Sequence, residues 1–273
     1  MVPAAQRYVF LGRLKNYLGK PDEAIDVMTE GLRHHPDDVY LLRHRGHRYV
    51  TVRRLDEAVA DLERAAELAA SMPDELEFYQ KEVELDLANL ILGHVDQLLP
   101  APMPITPETL ARYADTYKGT LKSCIGYHLA LGYYLRGEFD RAVDAYRATL
   151  PFCVDDDMRV ATWDWLYMSL QRAGRGGEAA ELLATIPTAL HVVEGSYDAR
   201  VRMYRGEVTP EAVLDASGVG PLALATRGYG VANWYLYSGR GDEAEALLRR
   251  IVDTGFKHAF GFIAAQIDLE RLD

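Results

Sequence analysis

One phrase recurs along this chain, and its first two copies are 34 residues apart. Leu18-Gly19-Lys20-Pro21-Asp22-Glu23-Ala24 aligns with Val52-Arg53-Arg54-Leu55-Asp56-Glu57-Ala58. The pattern returns at Gly137–Ala142, Gly174–Ala179 and Gly239–Ala244, and in a longer, degenerate form at Gly206–Ala212. Each copy reads as the turn of a helix hairpin. Its glycine closes one helix in the left-handed conformation that costs glycine least. The acidic residues that follow suit the positive end of the next helix dipole. The alanine lets the two helices approach closely. Apolar residues flank each copy at helical spacing: Tyr8, Leu11 and Leu14 before the first, Ile25, Met28 and Leu32 after it. No sustained alternation argues for strands. A unit of this size cannot bury its apolar face alone, so neighbouring units must stack and share one core.

A 34-residue helix-turn-helix with small residues at its eighth and twentieth positions (Gly12 and Ala24, Gly46 and Ala58) resembles the tetratricopeptide repeat (TPR). Lys15 stands where the family usually has an aromatic residue, and Arg53 stands at a turn glycine. The closing phrases Asn233–Tyr237 and Ala259–Phe262 resemble stand-alone bacterial proteins of this kind. The resemblance implies an all-α fold, a right-handed superhelical solenoid of antiparallel helix pairs, as one unit over 1–273. Repeats are expected at about 5–38, 39–72, 123–156, 160–191, 192–216 (degenerate) and 225–257, with an insertion at 73–122 and a cap at 258–273. The insertion begins Pro73-Asp74-Glu75, a helix-start signal. An apolar stripe from Leu76 to Leu98 then predicts one long helix over 74–99, ended by Pro100, Pro102 and Pro104. A short helix from Pro107 to about Tyr117 and a turn at Lys118-Gly119 follow. The stretch 216–221 reads as an inter-helix loop, and a final helix over 258–272 closes the stack.

In the family, the first helix of each pair lines the concave surface. The resemblance therefore assigns Arg13, Asn16, Tyr17, Arg43 and His47 inward in the first two repeats. It assigns Tyr127, Tyr134, Asp164 and Arg172 in the middle, Arg200 and Tyr204 in the degenerate copy, and Tyr229, Asn233 and Tyr237 in the last. Rigid aromatics with directional donors suit a protein or peptide partner. The family's clamp for chaperone C-termini needs a Lys and an Asn four residues apart in one helix; Val9 and Arg13 stand there instead. Arg43, His44, His47 and Arg48 also belong to a run of Arg and His between Arg33 and Arg54. That run reads either as a docking spot for an acidic peptide or carboxylate, or as a solvated helix face.

Thirty Lys and Arg against 41 Asp and Glu give a formal charge of −11, which disfavours nucleic acid as a partner. No stretch is apolar enough to span a bilayer. No signal segment is visible, so cytoplasmic residence is the expectation, unless an upstream signal has been removed. Cys124 and Cys153 are too few for a disulfide framework. Catalytic motifs, phosphate loops and dinucleotide fingerprints are absent, and no cluster has metal-ligand spacing, so neither cofactor nor metal is expected. The leading expectation is a non-enzymatic interaction scaffold using the concave face. The rival is an enzyme or small-molecule binder, its tyrosine-lined pocket closed by the 73–122 insertion with Asp164 or His128 inside.

Overall fold

The computed structural model describes residues 4–78, 103–115, 118–215 and 220–272. Helices α1 (Ala4–Tyr17) and α2 (Pro21–His34) form the first hairpin, α3 (Val39–Thr51) and α4 (Leu55–Ala69) the second. The insertion contributes strands β1 (Glu75–Phe78) and β2 (Met103–Pro104), helix α5 (Pro107–Arg112) and strand β3 (Lys118–Thr120). Four more pairs follow: α6 (Leu121–Arg136) with α7 (Phe139–Thr149), α8 (Asp156–Arg172) with α9 (Gly176–Thr185), α10 (Ser196–Tyr204) with α11 (Pro210–Asp215), and α12 (Pro221–Tyr237) with α13 (Gly241–Asp253). Helix α14 (Phe260–Leu272) ends the chain.

The turn signals mean what their chemistry requires. Gly19, Gly137, Gly174, Gly206 and Gly239 all have φ between 74° and 82°. Arg53 adopts the same left-handed conformation at φ 63°, which an L side chain rarely does. Its reach offsets that cost: the guanidinium donates to Gln266 Oε1 at 2.9 Å and lies over the Phe262 ring, joining the second hairpin to α14. The small residue of each first helix is explained by close packing. A Cβ on Gly12 would meet Met28, and one on Gly46 would meet Leu62, at the equivalent place one period later.

First helices touch first helices in the order α1, α3, α6, α8, α10, α12, forming an inner layer. Second helices back them on the outside. Helix α4 packs directly on α6, so the stack continues from the second hairpin to the third. One apolar cluster runs from Ile25 through Trp165 to Ala265, and a second, around Met28, Leu41 and Ile125, serves the N-terminal hairpins.

The insertion departs from expectation. Residues 75–78, expected to begin a long helix, are instead the central strand of a three-stranded antiparallel sheet, order β2-β1-β3. Leu76 is buried, while Glu75 accepts the Tyr40 hydroxyl at 2.7 Å and Glu77 pairs with Arg43 at 2.8 Å. Two carboxylates with partners on α3 and an apolar residue between them is a strand pattern, period two. The remainder of that expected helix lies outside the described residues, as do 216–219 of the expected loop. The helix after Pro107 stops at Arg112, and Lys118-Gly119 is strand rather than turn. Asp155 ties the sheet to the solenoid: it caps α8 through Met158 N at 2.8 Å and accepts from Lys118 N at 2.5 Å.

Candidate functional site

Asp38 starts α3 by accepting from Leu41 N at 2.9 Å. From that start, Arg43, His44, His47, Arg48 and Thr51 fall on one wide stripe, about 140° of the helix at 3.6 residues per turn. The stripe faces a cavity of 440 Å³. Arg13, Asn16 and Tyr17 of α1 form one side, at i, i+3 and i+4. Glu77 of β1, Tyr197 of α10, Leu222 and Thr226 of α12, and His258, Ala259 and Phe260 before and at the start of α14 complete it. Tyr17 and Leu222 are half-exposed and rim the mouth.

The cavity is cationic in an acidic protein. Arg43 is neutralised by Glu77. Arg48 has no carboxylate partner among the described residues. Burial, followed by the adjacent charges of Arg43 and Arg13, brings its guanidinium down to about 9. Burial also holds His44, His47 and His128 well below 6.5, with nearby arginines adding to the effect. These imidazoles are therefore neutral at pH 7, with the His47 and His128 rings 4.1 Å apart. The unfolded chain takes up protons near 6.5 that the fold refuses. The histidines' share of stability is thus expected to fall as pH drops below about 6.5, by up to ~1.4 kcal/mol per unit for each, until the depressed native values are reached, with the raised Asp164 carboxyl opposing them by up to one proton. Urea midpoints between pH 7.5 and 5.5 measure this, and His128→Gln should flatten the slope by one proton.

Five residues assigned inward from the first two repeats, Arg13, Asn16, Tyr17, Arg43 and His47, meet in this cavity. The others do not join them, because α14 packs back onto the inner layer. Asp268 of α14 takes both Nη atoms of Arg172 at 3.0 Å and the Tyr229 hydroxyl at 2.8 Å. Tyr134 donates to Asn233 at 3.0 Å beside them. Asp164 and Arg200 form a fully buried ion pair at 2.6 Å, with Tyr204 against the guanidinium at 3.4 Å. Tyr127 is buried with its ring against His128 and Tyr146, and Tyr237 is partly buried near Tyr167. What was expected to be a partner surface in the middle and last repeats is internal polar packing. The rival's pocket fares no better: Asp164 is in the core, and His128 stands behind His47 rather than lining the cavity.

Arg48, His44, Tyr197, His258, Phe260 and Glu77 line the cavity without having been assigned to it. Repeat phase selects only one narrow stripe per helix, whereas this cavity is wider. The Arg and His run did contain Arg43, His44, His47 and Arg48, and the structure divides it. Arg33, His34, Arg45 and Arg54 bind Glu30, Asp61 and Glu57 instead.

No protein-family model matches the chain, and neither does any curated protein. Twelve solved chains align with it, two of them from one fungal protein. A Podosopora anserina protein described as a kinesin light chain of nearly identical TPR-like repeats is 16% identical, with a TM-score of 0.46, over 92% of this chain and 95% of its own. A single-substitution variant of it is 15% identical, with a TM-score of 0.46, over 91% and 93%. At that distance they speak to neither ligand nor activity. The hairpins, their left-handed turns and the inner layer of first helices make this a TPR-like helical solenoid. No helix among the described residues is long and apolar enough to cross a membrane.

Proposed function

We propose that this chain is a protein-interaction module whose N-terminal cavity, rather than the whole concave face, grips an acidic segment of a partner protein. The observation that carries this reading is Arg48, a guanidinium set into the cavity wall with no carboxylate partner among the described residues. A half-buried charge without a counter-ion costs some stability, so a fold that keeps one gains from an anion that arrives later. Half-exposed Tyr17 and Leu222 at the mouth supply apolar contact for residues beside the acid. A TPR-like solenoid is generally a scaffold for protein contacts, and α14 leaves this end of the inner layer accessible.

Fluorescence polarisation with labelled degenerate peptides tests the reading. A pool of four positions randomised over uncharged residues, a fixed Glu and four more such positions should bind. The same pool with Gln fixed should bind at least tenfold more weakly. Arg48→Met should remove the difference while raising the urea midpoint of the free protein, because it deletes an uncompensated charge. Equal binding of both pools, or a lower midpoint for Arg48→Met, would show that Arg48 serves the fold and not a partner.

A further inference from the structure

The cavity leaves more than a cation without a partner. Asn16 Oδ1 is buried and receives no hydrogen bond from the described residues. Glu77 Oε1 is in the same condition, since Arg43 occupies Oε2 and His44 Nε2 stands 3.9 Å away, beyond hydrogen-bond distance. Both residues line the cavity. Its polar demands are therefore of two kinds: Arg48 needs an acceptor, and Asn16 and Glu77 need donors. A simple anion answers only the first and sets its own negative charge against Glu77. Leaving a buried acceptor unmatched costs stability.

Resting on the reading above, we infer that the cavity binds an amino-acid unit: one group that brings a carboxylate to Arg48 and its own N–H to Asn16 or Glu77. The volume suits this, since 440 Å³ is at the small end of ligand sites and accommodates a residue or two. The α-nitrogen and the carboxylate of an acidic residue lie within a few bonds of each other, so a single residue satisfies both demands. The unit can come from a free acidic amino acid or from an acidic residue within a peptide, and both present the same atoms.

Calorimetric titration of the unmodified chain separates these possibilities with three probes. Glutarate has two carboxylates and no N–H, N-acetyl-L-glutamate adds an amide N–H, and L-glutamate adds an ammonium. N-acetyl-L-glutamate is expected to bind at least tenfold more tightly than glutarate. Asn16→Leu should shrink that ratio severalfold, and Arg48→Met should weaken both probes together. Glutarate binding as well as the N–H probes would overturn the inference and leave the acidic-partner reading intact. Binding of L-glutamate and N-acetyl-L-glutamate but not of the Glu-fixed peptide pool would keep the inference and overturn the partner reading. Failure of all three probes to bind would overturn the inference outright.

Discussion

Replacing Asp164 with asparagine is expected to destabilise the fold by about 3–5 kcal/mol, the range seen when one member of a buried ion pair is removed. Both side chains are fully buried, and the carboxylate lies 2.6 Å from Arg200 Nη2. Burial pushes the Asp164 carboxyl up, with the Arg200 guanidinium opposing that rise. Dehydrating both groups offsets much of the attraction between them. Removing the carboxylate alone strands Arg200, whose remaining contacts are the Thr226 carbonyl at 3.0 Å, Met168 sulfur and the Tyr204 hydroxyl. Nor can the guanidinium move toward α12, where a Cβ on Gly230 would already collide with it. The double replacement Asp164→Leu with Arg200→Met should recover most of the loss. Urea denaturation followed by tryptophan fluorescence reads both, since Trp165 lies beneath Arg200 at 5.8 Å. A single variant as stable as the parent would mean that Arg200 finds water or another anion.

That pair also bears on the cavity. Arg200 sits one turn after Tyr197 on α10 and binds the carbonyl of Thr226 on α12, and both Tyr197 and Thr226 line the cavity. The site is thus assembled from α1 and α3 on one side and from distant helices on the other. This explains what the sequence could disclose. Arg13, Asn16, Tyr17, Arg43 and His47 follow from repeat phase because neighbouring hairpins keep the same geometry, as the equivalent Gly12–Met28 and Gly46–Leu62 contacts demonstrate. Arg48 lies one position off that phase and was visible only as part of a cationic run. Phe260 and His258 arrive from the far end of the chain, and no local pattern announces that α14 turns back to cover the inner layer. The same return explains why Arg172, Tyr229 and Asn233 are packing residues. Phase put them on the inner side but could not say what would cover it. The strand at Glu75–Phe78 was hidden differently: its Leu76 also fits the helical stripe that follows, and only partners on α3 and β3 select the extended form.

If α14 is what converts an open inner layer into a core beside this cavity, then its docking should be the most sensitive point of the architecture. Gly261, at its first turn, makes this testable. A Cβ there would collide with the Ala225 carbonyl oxygen and lie 2.8 Å from the carbonyl carbon and 3.1 Å from Tyr229 Cβ. The obstacle is backbone in the middle of a packed helix, so neither a rotamer change nor a small side-chain shift relieves it. Gly261→Ala is expected to cost about 3 kcal/mol, the upper end for overpacking, because α14 must move as a body. That movement would loosen Phe262 from the core and draw Asp268 away from Arg172 and Tyr229. Hydrogen exchange should show lost protection over 260–272, and with it over Asn233 and Tyr229, while α2 and α4 remain protected. The cavity should open as well, since Phe260 packs on His47 at 5.3 Å. Affinity for the Glu-fixed peptides would then fall together with protection. Unchanged exchange in 260–272 would mean that α12 and α14 can separate without disturbing what lies between them, and the closing helix would be ornament rather than wall.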